Sequence, residues 1–157
     1  RNLTVPRLEF IVRYFTAGSM CRRFTLEEGI PFNPPYAEVT LKDDIQGDPL
    51  ISERLCIMKG LLKEGQYAEA QDIVVRVGEV LKKELASLGL TLIDFKIEFG
   101  RDANGELVLA DELSPNTCRL WDKKTGERMD KDRFRRDLGR VRETYEEVAE
   151  RLHNVLK

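Results

Sequence analysis

Histidine is almost missing from this chain: the only one among 157 residues is His153, close to its end. A zinc site built on several imidazoles is therefore excluded, and a Ser–His or Cys–His nucleophile has no suitably placed base. Cysteine is scarce too. Cys21, Cys56 and Cys118 are odd in number, far apart and form no C-x-x-C pair, so they read as reduced thiols of a cytoplasmic protein. Net charge is nearly absent, with 26 lysines and arginines against 28 acids giving -2, so no global field favours nucleic acid or an anionic membrane. No apolar run approaches the roughly 18 residues of a membrane span, and no basic-then-apolar leader is recognisable. The eleven glycines are scattered, no two within three positions of each other, so none of them builds a phosphate-cradling loop. Chemistry here must come from carboxylates, lysines and arginines, with or without a hard metal ion.

What is present, 41% apolar and 34% charged residues, describes an ordinary globular mixture long enough for one domain with a core. There are no repeats, no low-complexity segment and no internal linker. Arg7 to Phe15 reads as a strand, and Gly18-Ser19 opens a short helix reaching Phe24. Asn33-Pro34-Pro35 reads as a loop, Ala37 to Lys42 as a short strand, Asp43 to Pro49 as a polar loop and Ser52 to Leu62 as a helix. From Tyr67 to Leu88 the apolar spacing predicts a long helix burying Ile73, Val77, Val80, Leu81 and Leu85, stopped by Gly89. Strands follow at Thr91 to Phe99 and Glu106 to Glu112, then a short helix at Asp130 to Leu138. A final helix from Val141 to Leu156 would bury Val141, Tyr145, Val148, Leu152 and Val155. The class is α+β, an antiparallel sheet flanked by helices.

The segment Leu92 to Gly100 reads LIDFKIEFG. Strand alternation puts Ile93, Phe95, Ile97 and Phe99 on a core face and Asp94, Lys96 and Glu98 in an acid–base–acid row on the other. Lys96 and Asp94 are the catalytic candidates of that row. With Asn104-Gly105 as a two-residue turn, Glu98 would lie opposite Asp111. Two opposed carboxylates repel unless a cation sits between them, and oxygens from two strands suit Mg²⁺. Taken alone, the row would be the solvated face of an amphipathic strand. Arg13 and Glu9, four apart on one strand face, would be a simple ion pair.

IDFKIEFG followed by LADELSPNTCRLWD is similar to the paired signatures of the SAICAR synthetases, whose fold resembles the ATP-grasp enzymes. VPRLEFIVRYFTAGS (Val5 to Ser19), GIPFNPP, LKDD with its following DP, and RMDKDRFR (Arg128 to Arg135) resemble the same family in collinear order over nearly all of the chain. The resemblance implies ATP-dependent ligation of L-aspartate to carboxyaminoimidazole ribonucleotide, with ATP and Mg²⁺ as cofactors. It implies that Glu98 and Asp111 hold the metal and that Lys96 lies beside the nucleotide phosphates and the imidazole carboxylate. Arg13, Ser19 and Arg119 would hold the ribonucleotide, Lys42 and Asp48 would lie near it, and Lys131 and Arg135 would meet the aspartate carboxylates. Serine at a helix start and arginine forks suit phosphate and carboxylate.

There are departures. Asn116 stands where the family usually has aspartate, Cys118 where serine is common, and Arg7-Leu8 lengthens the spacing from Pro6 to Glu9. In the family a glycine- and lysine-rich loop in a front domain grips ATP. This chain opens at Arg1 and passes almost directly into a strand, so the expectation is that the front domain lies outside it, as an intramolecular partner, and that the isolated chain is inactive. A homo-oligomer is a further expectation. Two other readings stand beside the ligase: a kinase on the related fold, and a non-enzymatic phosphate- or RNA-binding module using the basic stretch Arg119 to Arg142. The RLWD and FTAGS matches argue against the first. Asp122, Glu127, Asp130, Asp132 and Asp137 interleave that stretch and argue against the second.

Overall fold

A computed structural model describes residues 5–110, 112, 114 and 116–155. In chain order the elements are β1 (Leu8–Phe15), α1 (Ser19–Phe24), β2 (Pro31–Leu41), α2 (Glu53–Met58), α3 (Gln66–Ser87), β3 (Leu90–Ile97), β4 (Phe99–Arg101), β5 (Leu107–Leu109), β6 (Cys118–Asp122), α4 (Asp132–Arg135) and α5 (Val141–Val155). β2, β1, β3 and β6 form, in that order, a four-stranded antiparallel sheet, and β4 pairs with β5. The α+β class read from the sequence is what the chain adopts.

Alternation along the strands divides the sheet into two unlike faces. Leu8, Phe10, Val12 and Tyr14 of β1, Val39 of β2, Phe95 and Ile97 of β3 and Leu120 of β6 are buried together with Ala70, Val74 and Leu85 of α3. Burying each large apolar side chain contributes about 1.5–3 kcal/mol. Phe10 meets the Phe99 ring edge-on at 5.2 Å. The other face of the sheet carries charged side chains and looks into a cavity.

α3 does not bury the centre of its apolar arc. Ala70, Val74, Gly78 and Leu85 are buried, whereas Val80, read from the sequence as a core residue, is 62% exposed. Small residues decide this, because they let the helix axis approach the sheet. A Cβ on Gly78 would lie 2.6 Å from the Tyr14 hydroxyl oxygen and 2.8 Å from the Phe95 ring. Gly78→Ala would gain about 1 kcal/mol of helix propensity. It would also overpack this seam at a cost of about 1–3 kcal/mol and disturb the hydrogen bond from Tyr14 to Glu79. The expected net loss is about 1 kcal/mol, seen as a lower midpoint in thermal unfolding; a raised midpoint would show that the seam has slack.

Several expectations need correcting. Pro34 and Pro35 lie within β2, not in a loop; β2 is an edge strand, where a missing N–H costs no ladder bond, and the β1–β2 register shifts nearby, between Arg13 and Phe15. Cys118–Asp122 is a strand that short length and polar flanks concealed. The helix read from Ser52 to Leu62 ends at Met58, with Ser52 capping it and Gly60 at φ 66 just beyond. In α5 Val148 and Thr144 are buried, but Leu152 is 41% exposed. A register shift between Leu92 and Asp94 reverses the alternation of β3, so Leu90 and Leu92 join Phe95 and Ile97 in the core cluster while Ile93 is buried outside it.

The hairpin register also differs by one residue. Phe99 pairs with Leu109 and Arg101 with Leu107, and the Ala110 amide donates to the Glu98 carbonyl at 2.9 Å. Glu98 is therefore aligned with Ala110, not Asp111. Among the two central turn residues only Gly105 takes positive φ, 82°, while the Asp102 carboxylate accepts from the Asn104 and Glu106 amides. The result is a three-residue loop, not the two-residue turn the Asn-Gly pair suggested. Asp111 itself lies outside the described residues.

Candidate functional site

The registers align Arg119 of β6, Asp94 of β3 and Arg13 of β1 across the sheet. Arg13 Nη1 donates to Asp94 Oδ2 and to the Ala17 carbonyl, while Nε and Nη2 donate to Glu38 Oε1 at 3.0 and 2.7 Å. Arg23 donates to both oxygens of Glu38 at 2.7 and 2.8 Å. Arg119 Nη1 donates to both oxygens of Asp94 at 3.1 and 2.9 Å, and its Nε to Asp132 at 2.8 Å. Arg23, Glu38, Arg13, Asp94, Arg119 and Asp132 thus form one alternating series of charges. The Arg13 and Glu38 side chains are only 2% exposed and that of Asp94 5%. Alternation of sign offsets the cost of burying them, and each carboxylate fixes the plane of its guanidinium.

A second row lies alongside. Lys96 donates to Glu9, which also accepts from Thr40. The ion pair imagined between Arg13 and Glu9 does not form; positions four apart on a strand are about 13 Å apart, too far to meet.

Above this floor is a cavity of about 560 Å³, lined by eight basic and four acidic side chains. The floor is charge-balanced, so the excess of positive charge lies on the rim. Arg22, Lys131 and Arg135 line the cavity and make no ion pair among the described residues. Burial holds Lys131 below the ordinary lysine range, assisted by Arg135, Lys96 and Arg119 and opposed by Asp94. Ser19 begins α1 at the same wall. Gly18 precedes it at φ 61 and ψ -131, with the Arg119 guanidinium seated where a Cβ would stand.

Cys118 also lines the cavity, but burial pushes its thiol up to about 11, so it is not a thiolate near neutral pH. Asp130 is fully buried, and burial pushes its carboxyl up to about 6 against the pull of two backbone N–H donors, Asp132 and Leu120. The sign follows from the ordinary value of 3.8: below it both folded and unfolded chains hold the proton. As pH rises through about 6 the folded state must surrender it in a buried place, and the stability that proton lends is lost.

Of the residues chosen from sequence, Arg13, Ser19, Asp48, Asp94, Lys96, Arg119, Lys131 and Arg135 all meet at this one cavity. Lys42 and Glu98 are not in its lining; Lys42 Nζ donates to Glu98 Oε1 at 2.6 Å beside it. Glu9, Glu38, Arg23 and Asp132 were not among those chosen from sequence, because each meets its partner, Lys96, Arg13, Glu38 or Arg119, only through the fold; Arg22 reaches the cavity from α1. Among the described residues no three acidic, histidine or cysteine side chains gather closely enough to enclose a metal ion. Glu98 offers a hard carboxylate donor of the kind Mg²⁺ takes.

Residues 1–152 match the family described as SAICAR synthetase. The chain is 49% identical over 145 residues to the phosphoribosylaminoimidazole-succinocarboxamide synthase of Fusobacterium nucleatum, covering 92% of this chain and 61% of that protein. It is 47% identical to the synthase of Marinobacter nauticus, covering 97% of this chain and 64% of that one. Among solved structures it resembles the synthase of Ehrlichia chaffeensis, with a TM-score of 0.92, 37% identity, and coverage of 97% and 65%. A SAICAR synthetase solved in complex with ADP gives a TM-score of 0.90 at 43% identity, covering 96% and 64%. The chain thus spans less than two thirds of the length of these relatives. No helix among the described residues is long and apolar enough to cross a membrane.

Proposed function

The chain belongs to the SAICAR synthetase family, and from that premise we propose that the whole protein joins L-aspartate to carboxyaminoimidazole ribonucleotide at the expense of ATP, in the cytoplasm, giving SAICAR, ADP and phosphate for purine biosynthesis. The observation that carries this reading is the cavity itself, a rigid ion-paired floor beneath a rim with cations to spare. That arrangement suits ligands with several anionic groups and a transition state with charge spread over phosphoryl oxygens.

In this reading a carboxylate oxygen of the imidazole attacks the γ-phosphorus of ATP and ADP leaves. The amine of aspartate then displaces phosphate from the acyl phosphate and loses a proton as the amide forms. No protein nucleophile is needed; the work is positioning and charge neutralisation. Arg119 and Ser19 hold the ribonucleotide, with Asp48 at its edge. Arg13, whose fork is engaged by Glu38 and Asp94, acts from beneath by holding Asp94, and through it Arg119. Lys96, fixed by Glu9, presents its ammonium to the transferring phosphoryl group. Lys131 and Arg135 receive the aspartate carboxylates. Glu98, with Lys42 at its side, is where Mg²⁺ would be held, jointly with Asp111; bound there, the ion neutralises phosphate charge. The glycine-rich grip on the ATP phosphates is assigned to residues beyond these 157.

The test is ADP release by the whole protein with carboxyaminoimidazole ribonucleotide, ATP, Mg²⁺ and with or without aspartate, with product followed by chromatography. Aspartate-dependent ADP formation matched by SAICAR is expected. ADP formed at the same rate without aspartate would favour the kinase reading, and RNA binding with a steep salt dependence would favour the nucleic-acid reading.

A further inference from the structure

The turn that enters α4 contributes Lys131 and Asp132 to the cavity, and both depend on a residue the ligand space never reaches. Asp130 is 0% exposed. Its Oδ2 accepts the Leu120 amide at 2.6 Å and its Oδ1 the Asp132 amide at 2.7 Å. The Met129 amide donates to the Leu120 carbonyl at 2.8 Å, which brings the turn and β6 together. Leu120 follows Arg119 in the chain, and Asp132 holds Arg119 Nε. One buried carboxylate therefore fixes both halves of the Arg119–Asp132 ion pair. It makes no salt bridge of its own among the described residues.

We infer that Asp130 is a positioning residue: its carboxylate clamps the turn of residues 130–132 to β6 and so aims Lys131, Asp132 and Arg119 into the cavity. The inference rests on the reading of that cavity as the ribonucleotide site. Chemistry supports a carboxylate here. Ionised, it offers an acceptor to each of two converging N–H donors, whereas an asparagine must turn its own NH₂ towards one of them. The charged and titratable groups around it are Arg119 and Cys118 on β6, Asp132 on α4 and Tyr145 on α5. Burial and Asp132 favour the proton; the two amides and Arg119 oppose it. Acidification through about pH 6 thus protonates the clamp before ordinary carboxylates titrate. The fold gains stability from that proton while the site loses an acceptor, so this residue trades stability for order in the site.

The experiment compares wild type with Asp130→Asn in the whole enzyme. At pH 8 the variant is expected to show a KM for carboxyaminoimidazole ribonucleotide raised about tenfold, with kcat changed much less. The wild-type rise of KM below about pH 6 should be absent from the variant. Asp132→Asn added to Asp130→Asn should cost less than the sum of the single effects. Backbone ¹⁵N shifts of Leu120 and Asp132 in the unliganded wild type should titrate with a midpoint near 6, a readout that needs neither turnover nor a variant that folds. A folded variant with wild-type KM and pH profile, or wild-type amides indifferent to pH in that range, overturns the proposal. Absence of aspartate-dependent turnover in the wild type would sink the functional reading instead, and the amide titration would then decide the role of Asp130 alone.

Discussion

Gly18→Ala is expected to lower kcat/KM of the whole enzyme by at least about 100-fold, the loss that a misplacement of roughly 1 Å in a binding group produces. Two costs act together. Gly18 sits at φ 61 and ψ -131, a conformation that L side chains rarely adopt and that costs on the order of 1–3 kcal/mol. A Cβ there would also fall on Nη2 of Arg119, 2.6 Å from its Cζ and 3.0 Å from Nη1. Arg119 cannot retreat freely, because Asp94 and Asp132 hold it from two sides. Either the arginine breaks those bonds or the turn before α1 moves and carries Ser19 with it. Both outcomes disturb groups assigned to the ribonucleotide. The check is steady-state kinetics beside a thermal melt. A folded Gly18→Ala enzyme with kcat/KM within about threefold of wild type would show that Arg119 does not need this seat.

Much of this site could be read without the fold, and the division has a physical basis. Residues picked out by their neighbours in sequence were expected at one site and do line one cavity: Asp94 and Lys96 by strand alternation, Gly18-Ser19 as a helix start, Lys131 and Arg135 in one short motif. Glu38 and Asp132, which join the row of charges through partners far off in sequence, were not. Glu38 is unremarkable in VTL-flanked β2 until its closeness to Arg13 and Arg23 is known. Asp132 looks like one more acid in a mixed-charge stretch until Arg119 is seen to bind it. Registers are the least legible level. One extra loop residue at Asp102–Glu106 set Glu98 opposite Ala110, and one irregularity at Leu92–Asp94 reversed the side-chain parity of β3. Helix faces fared between these. The length of α3 was legible from its period, but its contact line follows Ala70, Val74 and Gly78, since closeness of approach, not hydrophobicity alone, sets what is buried.

At Asp94 the largest loss of stability is expected. Its carboxylate is shared by Arg13 and Arg119, and it is 5% exposed between side chains that are 2% and 14% exposed. Among the described residues, Asp94→Ala would leave Arg119 Nη1 without its partner and Arg13 Nη1 with only the Ala17 carbonyl. Removing one member of a buried ion pair costs about 3–5 kcal/mol, because the remaining charge is uncompensated. Against a total stability of about 5–15 kcal/mol that is enough to unfold much of the population on mild heating. Asp94→Asn should cost less, since its amide oxygen still accepts from one guanidinium while its NH₂ faces the other. The measurement is urea unfolding of the two variants beside wild type, with the midpoint separated from the slope. The ordering matters as much as the size. If alanine and asparagine cost the same, shape and not charge holds the row together. If alanine costs under about 1 kcal/mol, Glu38 and Asp132 satisfy the two arginines without Asp94. The alternating series would then be a set of independent pairs, and the rigidity attributed to the cavity floor would have to come from the sheet beneath it.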